Sequence, residues 1–525
     1  MPSCGEAVVE LLEQMGATTV FGIPGVHTLE IYRGLSASSL RHVAPRHEQG
    51  AAFMADGWAR VRGEPGVCVL IGGPGLTNAI TPIAQAYHDS IPMLVISGAV
   101  PASQRHLGEI HDLPDQRGLM ATVTAFSHTV TDPQELPEVF ARAVEVFRSR
   151  RPRPVHIALG ADVLRLPAPA GAVIAEPPPR PQPNPADVQR AAALLAAARR
   201  PLLLLGGGAR DAGPEALALA RRLAAPVGLT INARGTVADD DPLCLGSALS
   251  FPPMSHLLRA ADATVLVGAQ LSDLELWGLN EPLVLPGLVR IDIDAEQLER
   301  RWRPEVSLHG DAAASLRALH GALPPQTAGD RLREAESRVA DARAALAPPP
   351  EIARFTPLLE VLDRVLPLDR IIAGDSTQPV YAANHLLGMA TPRSWLMPIG
   401  YGCLGCALPM AIGAKLAAPQ RPVVALAGDG GFMFTVAELA TLRDLAIGLV
   451  AIVYNNAGYG EIRDAMAHAG IERLGTDGAT HDLVAIARGF GVRAQRSDST
   501  ARLEELLSGA LASGEPTVIE HIEGG

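Results

Sequence analysis

The sequence predicts an α/β protein of three doubly wound parallel-sheet domains. Length is the first reason: 525 residues exceed what one hydrophobic core supports, and about three domains is the natural division. Proline is the second. Stretches 167–185, with Pro177-Pro178-Pro179, and 347–350 interrupt the chain as extended breaks. The third is alternation. Between the breaks, short β-branched or leucine-rich runs take turns with longer helical patterns, the mark of βαβ units.

The first segment opens on an amphipathic helix around Ala7-Val8-Val9-Glu10-Leu11-Leu12. Runs 66–71 and 93–97 have strand length, and 51–62, between His47 and Gly63, has a helical pattern. In the middle segment, 201–205 enters Gly206-Gly207-Gly208 as a strand feeding a tight turn. Runs 263–268 and 289–293 repeat the pattern, and a charged helical run, 330–347, ends the segment. The last segment holds strand candidates at 371–373, 423–427, 449–454 and 517–521. Gly72-Gly73, Gly374-Asp375-Ser376, Gly428-Asp429 and Asn455-Asn456 each follow a strand, where open parallel sheets place ligands. The first and last segments are compatible with one shared fold.

Lys+Arg 44 against Asp+Glu 56 leaves a net charge of −12, which argues against a nucleic-acid partner. The longest apolar runs fall far short of a membrane span. The N-terminus has no signal-peptide pattern, so a soluble cytoplasmic protein with no membrane partner is expected. Five cysteines make no disulfide framework in a chain of this size. Cys403-x-x-Cys406 has redox or zinc spacing, but no second Cys/His pair matches it. Two small residues packed in a glycine-rich turn is the preferred reading.

Gly428-Asp429-Gly430 and Asn455-Asn456 are separated by twenty-four residues. A strand ending in Gly-Asp-Gly offers backbone N–H groups and one carboxylate to a diphosphate and its metal. One helix is expected to return the chain to the neighbouring strand, where Asn456 adds a neutral oxygen. Mg²⁺ takes few protein oxygens and leaves the rest of its shell to phosphate and water. A nucleotide-binding G-x-x-x-x-G-K-[ST] loop is absent from the sequence.

Further motifs accompany this pair. They are Phe21-Gly22-Ile23-Pro24-Gly25, Arg46-His47-Glu48-Gln49-Gly50-Ala51-Ala52 leading to Ala55-Asp56-Gly57-Trp58-Ala59-Arg60, and Gly400-Tyr401-Gly402-Cys403-Leu404-Gly405 leading to Ala407-Leu408-Pro409-Met410-Ala411-Ile412-Gly413-Ala414. Together, over nearly the whole chain and in order, they resemble the thiamine-diphosphate (ThDP) enzymes of the acetolactate synthase and pyruvate decarboxylase superfamily. The resemblance implies a pyrimidine-binding domain at 1–166, a central domain at 186–346 and a diphosphate-binding domain at 351–525. It implies that Glu48 hydrogen-bonds the cofactor's aminopyrimidine and drives its activation, a task suited to a buried carboxyl of raised pKa. A helix N-terminal glutamate favoured by the macrodipole is the alternative.

Asp429 and Asn456, with the backbone carbonyl near Gly458, are the implied Mg²⁺ ligands. Gly428, Gly430, Gly431 and Tyr459 lie on the diphosphate side, and Asp375, Ser376 and Gln378 approach it from another strand. Leu404, beside Gly402, props the cofactor into its bent form. Pro24, Gly25 and Asn78 face it from the pyrimidine side. In such enzymes the Glu48 domain of one subunit meets the Asp429 domain of another. A homodimer is therefore the minimum, and a homotetramer is expected.

The 2-oxo acid is less sharply written. Val26 and Ile71 stand where pyruvate and benzoylformate decarboxylases carry acidic, serine or histidine residues. Gly73-Pro74-Gly75-Leu76-Thr77-Asn78 resembles acetolactate synthase, yet Glu109-Ile110-His111-Asp112-Leu113-Pro114-Asp115-Gln116 replaces its Phe-Gln-Glu element. That stretch, Gly22-Ile23-Pro24-Gly25-Val26-His27-Thr28 and Asn455-Asn456-Ala457-Gly458-Tyr459-Gly460-Glu461-Ile462-Arg463 resemble an acetolactate-synthase-like branch. The branch includes decarboxylases of 5-guanidino-2-oxopentanoate (2-ketoarginine). A cationic tail calls for a carboxylate. Asp112 and Glu461 are the first choices, with Glu109 and Asp115 behind them and solvated loop charges as the alternative.

His111 and His27 are proton-transfer candidates or packed histidines. The short tail after the last strand run implies a more open pocket than a synthase has, or a lid supplied elsewhere. The middle segment resembles the FAD domain of acetolactate synthases, but Gln270-Leu271-Ser272-Asp273 stands where those show an arginine-containing element, which weighs against FAD. The leading expectation is a ThDP- and Mg²⁺-dependent decarboxylase of a 2-oxo acid. A carboligase of the acetolactate synthase type and a cofactor-binding regulator without turnover are the alternatives.

Overall fold

The computed structural model describes residues 2–279, 281–325, 329–478 and 481–523. Three six-stranded sheets are present, with helices between their strands. The first contains β1 (Thr19–Gly22), β2 (Arg41–Val43), β3 (Gly66–Leu70), β4 (Met93–Ala99), β5 (Ser127–Val130) and β6 (Pro154–Gly160), ordered β2-β1-β3-β4-β6-β5. Its pairs are all parallel. Strands β3, β4 and β6 are buried along their whole length, as parallel strands covered on both faces must be.

The central sheet contains β7 (Pro201–Leu205), β8 (Val227–Leu229), β9 (Cys244–Gly246), β10 (Ala263–Val267), β11 (Leu288–Asp292) and β12 (Val306–His309), ordered β12-β11-β10-β7-β8-β9. Counted from its own first strand this is 3-2-1-4-5-6 read from the other edge, the order of dinucleotide folds. The third contains β13 (Ile371–Gly374), β14 (Trp395–Leu396), β15 (Val423–Gly428), β16 (Val450–Asn455), β17 (Arg493–Ser497) and β18 (Thr517–Ile522), ordered β14-β13-β15-β16-β18-β17. Counted from its own first strand, its order is that of the first sheet, so the expected shared fold is present.

Two compact units are formed. The first takes residues 1–179, 371–377 and 396–525, with the first and third sheets; the second takes 180–370 and 378–395. Inside the first unit, helix Glu48–Arg62 lies against helix Ala407–Ala417 with backbones almost touching. A Cβ on Gly57 would strike the Met410 carbonyl oxygen, and one on Gly413 would strike that of Met54. Phe53, Met54, Trp58, Met410 and Ile412 belong to one continuous core across this contact.

A buried ionic network seals the same contact. Arg60 binds Asp56 (Nε–Oδ1 2.5 Å) and Asp89 (Nη2–Oδ2 2.7 Å), and Asp89 accepts from the Gly400 N–H at 2.9 Å. Both carboxylates hold the Arg60 pKa up against its burial. The segment after Gly428 corrects one expectation. Two helices, Asp429–Phe434 and Glu438–Leu445, stand where one was expected, and Thr435 between them turns its hydroxyl to the Gly405 carbonyl at 2.7 Å.

Candidate active site

The third sheet reverses its winding between β13 and β15, and the carboxyl ends of these strands carry Asp375 and Asp429. Ligands bind at such switch points. Helix Asp429–Phe434 begins on Asp429 itself, whose Oδ2 accepts from the Gly458 N–H at 2.9 Å. The chain leaves β16 through Asn456, Ala457 (φ 57°) and Gly458 (φ 147°). A side chain at 458 would strike the Thr476 carbonyl. Asn455 is consumed in structure: Oδ1 accepts from Ala457 N–H at 3.0 Å, and Nδ2 donates to Glu520 Oε1 at 2.7 Å. Asn456 follows it, with its carbonyl held by Arg463 Nη2 at 3.0 Å.

The Gly458 hydrogen bond ties the Asp429 carboxylate to the turn that carries Asn456 and the Gly458 carbonyl. That donor set is hard and oxygen-based, and it fits Mg²⁺. Burial raises the Asp429 pKa, a cost that a bound cation would offset. A cavity of about 120 Å³ is bounded by Asp429, Gly430, Asn455, Gly458, Tyr459 and His481.

Gly430 and Gly431 have packing reasons to be glycine. A Cβ on Gly430 would lie 2.7 Å from the Tyr459 ring, and one on Gly431 2.5 Å from Asp375 Oδ2. Asp375 is fully buried and points inward. It accepts from Gly405 N–H (2.8 and 3.1 Å to its two oxygens) and from Ser376 N–H at 2.8 Å. Burial pushes its pKa up to about 6. Ser376 is half-buried beside it, whereas Gln378 opens helix Gln378–Leu386 in the second unit. Leu404 is half-buried between Gly402 (φ 67°) and Gly405 (φ 80°).

Cys403 and Cys406 are buried free thiols, donating to Gln85 Oε1 and the Gly374 carbonyl at 3.6 and 3.5 Å. Burial pushes Cys403 up to about 12 and Cys406 well above its ordinary value. Inert packed thiols are what such surroundings make.

On the side of the first sheet, Glu48 is the first residue of its helix, and Oε2 accepts from Asn78 Nδ2 at 3.0 Å. The carboxyl expected to be buried is half-buried in this chain. Asn78 ends the short helix Pro74–Asn78 after β3. Ile71 binds the two loops together: Cβ atoms on Gly25 and Gly75 would each lie 2.5 Å from its side chain. Exposed Pro24 precedes Gly25 there.

His27 and His111 meet edge to face, with ring centroids 5.5 Å apart. The Nδ1 atoms of both are buried without a hydrogen-bond partner. Burial first, then the neighbouring His111, lowers the His27 pKa against the pull of Glu109. His111 itself sits at φ 66°, an uncommon conformation for a side-chain-bearing residue.

Of the four tail-binding candidates, two have structural work. Asp112 Oδ2 accepts from the His106 N–H at 2.6 Å, and Asp115 caps helix Gln116–Ala121 through Gly118 N–H at 2.7 Å. Glu109 and Glu461 are exposed. In the central sheet the switch point between β7 and β10 is filled by backbone. A Cβ on Gly206 would strike the Gly268 carbonyl oxygen, and one on Gly208 would lie 2.9 Å from Gly268 Cα. His481 and the buried Glu438 were not singled out from sequence. Neither lies in a glycine-bearing motif, and both reach their places through tertiary folding.

Residues 2–119 match the family described as thiamine pyrophosphate enzyme, N-terminal TPP binding domain. Residues 188–319 match its central domain and 375–521 its C-terminal TPP binding domain. This chain belongs to the thiamine pyrophosphate enzymes. Among relatives of this TPP enzyme, a Pseudomonas aeruginosa protein named probable 2-ketoarginine decarboxylase AruI is 44% identical, over 99% of this chain and 93% of that protein. A probable acetolactate synthase large subunit of Methanocaldococcus jannaschii is 32% identical, over 98% and 91%. The Escherichia coli acetolactate synthase isozyme 1 large subunit is also 32% identical, over 96% and 91%.

Proposed function

We propose that this TPP enzyme catalyses the ThDP- and Mg²⁺-dependent, non-oxidative decarboxylation of a 2-oxo acid with a cationic tail, of the 5-guanidino-2-oxopentanoate kind. The observation that carries the reading is the 44% end-to-end identity to a protein named as a 2-ketoarginine decarboxylase. It is joined by the two local arrangements the chemistry needs, Glu48 with Asn78 and Asp429 with Gly458.

When bound, ThDP supplies the electron sink that accepts the charge left as CO₂ departs. The protein's own residues do the rest. Asp429, Asn456 and the Gly458 carbonyl would hold Mg²⁺, with Gly428, Gly430, Gly431, Ser376 and Tyr459 lining the diphosphate. Asp375 supports that wall through the Gly405 N–H. Leu404, with Gly402 beside it, would prop the ring system, and Pro24, Gly25 and Asn78 would close the pyrimidine side. Glu48 would exchange a proton with the aminopyrimidine nitrogen, and Asn78 keeps one carboxylate oxygen oriented for it. His27 and His111 hold a proton for the substrate side. Asp112 and Glu461 are assigned to the cationic tail, Asp112 also fixing its own loop.

The Glu48 end and the Asp429 end are proposed to serve different subunits of a cytoplasmic homodimer or homotetramer. The central domain is proposed to be structural, without FAD, because Gly206 and Gly208 have close-packed neighbours in Gly268. A carboligase of the acetolactate synthase type is the second reading, favoured by relatives of that name at 32% identity. A panel of 2-oxo acids assayed for ThDP-dependent CO₂ release tests both. Release from 5-guanidino-2-oxopentanoate supports the first, and acetolactate accumulating from pyruvate alone supports the second.

A further inference from the structure

We propose that Glu438 is a positioning residue for Glu48, fixing the entry to the catalytic helix from the diphosphate-binding domain of the same chain. The proposal deepens the functional reading above and rests on it. Glu438 opens helix Glu438–Leu445, nine residues after Asp429, and is 1% exposed. Its carboxylate reaches across to the loop before helix Glu48–Arg62. The Arg46 N–H donates to both oxygens at 3.1 and 3.2 Å, and the His47 N–H donates to Oε1 at 3.1 Å. Thr441 Oγ1 steadies the other oxygen at 2.7 Å. Arg46 adds an ion pair to Asp444 on the same helix.

These bonds do what the local sequence does not. His47 is the N-cap, and its ring accepts from Gln49 N–H at 3.2 Å. The N–H groups of Arg46 and His47 precede the helix and have no intrahelical acceptor. A carboxylate is a charge-assisted acceptor for such donors, and here three contacts of 3.1–3.2 Å order the two residues from which Glu48 projects. Gly50 reports how close the approach is, since a Cβ there would strike Glu438 Oε1. The glycine of His-Glu-Gln-Gly thus has a specific partner. Asn78 orients the Glu48 carboxylate; Glu438 fixes the backbone that carries it. The break at Thr435 between the two helices after Asp429 is what turns Glu438 toward this loop.

The test compares wild-type holoenzyme with the Glu438→Gln and Gly50→Ala variants by amide hydrogen exchange, steady-state kinetics and thermal unfolding. Expected are faster exchange confined to peptides covering Arg46, His47 and the first turn after them, and kcat lowered about tenfold with KM within about twofold, since misorientation of a catalytic group costs rate rather than binding. Unchanged exchange at Arg46 and His47 overturns the proposal. So does faster exchange throughout the unit with a lowered melting temperature, or a raised KM at unchanged kcat. A wild-type enzyme inert toward every 2-oxo acid refutes the functional reading instead, while the exchange rates still decide whether Glu438 orders the loop.

Discussion

Glu48 and Asp429 are both carboxylates at the first position of a helix, and their surroundings assign them different work. Glu48 is half-buried, with one oxygen bound to the Asn78 amide. That leaves a group able to trade a proton with a ring nitrogen. Asp429 is tied to the Gly458 backbone, at the turn that follows Asn455 and Asn456. Glu48→Gln is expected to lower kcat about 100-fold or more, the usual range for losing a general acid–base group. ThDP should still bind, as titration of its quenching of protein fluorescence would verify.

Asp375 offers a pH test. Its folded pKa, about 6, lies above the ordinary 3.8. Its protonated form therefore stabilises the fold fully below the ordinary value, and that contribution is lost as pH rises through about 6. Urea midpoints of the cofactor-free protein should show wild type losing ground to Asp375→Asn across that window. A constant difference would remove the explanation.

At the scale of elements, the packing of helix Glu48–Arg62 on helix Ala407–Ala417 depends on Gly57 and Gly413, each facing a backbone carbonyl. Gly413→Ala is expected to cost about 1–3 kcal/mol, as overpacking does in a tight contact, measured as a lower urea midpoint. Buried strands such as β7 and β15 were legible in sequence because parallel strands covered on both faces are continuous apolar runs. Short edge strands β2, β9 and β14, and β8 beside β9, carry too few residues to show a period.

The glycine motifs marked the strand ends that carry Asp375 and Asp429, because strand–glycine junctions mark ligand-facing turns. Two details were not legible in them. The segment after Gly428 breaks at Thr435, and Asp375 turns inward to Gly405. Neither feature follows from local spacing, because each depends on a partner about thirty residues away. Glu438 was illegible for the same reason: the N–H groups that donate to its carboxylate lie 391 and 392 residues earlier.

Across the whole molecule, the first and third sheets repeat one topology, and the reading divides the chemistry between them, one end for each of two subunits. That division predicts complementation. Glu48→Gln and Asp429→Asn chains should each be inactive alone. Dissociated and reassociated together, they should recover roughly a quarter of wild-type activity, because half the dimers are mixed and each carries one intact site. No recovery would place both residues in one chain's site.

The most direct measurement for the account is CO₂ release from 5-guanidino-2-oxopentanoate by purified enzyme, with and without ThDP and Mg²⁺. Release that requires both, and exceeds that from pyruvate and from branched or aromatic 2-oxo acids, is the predicted result. An inert guanidino acid beside reactive small apolar acids would contradict it.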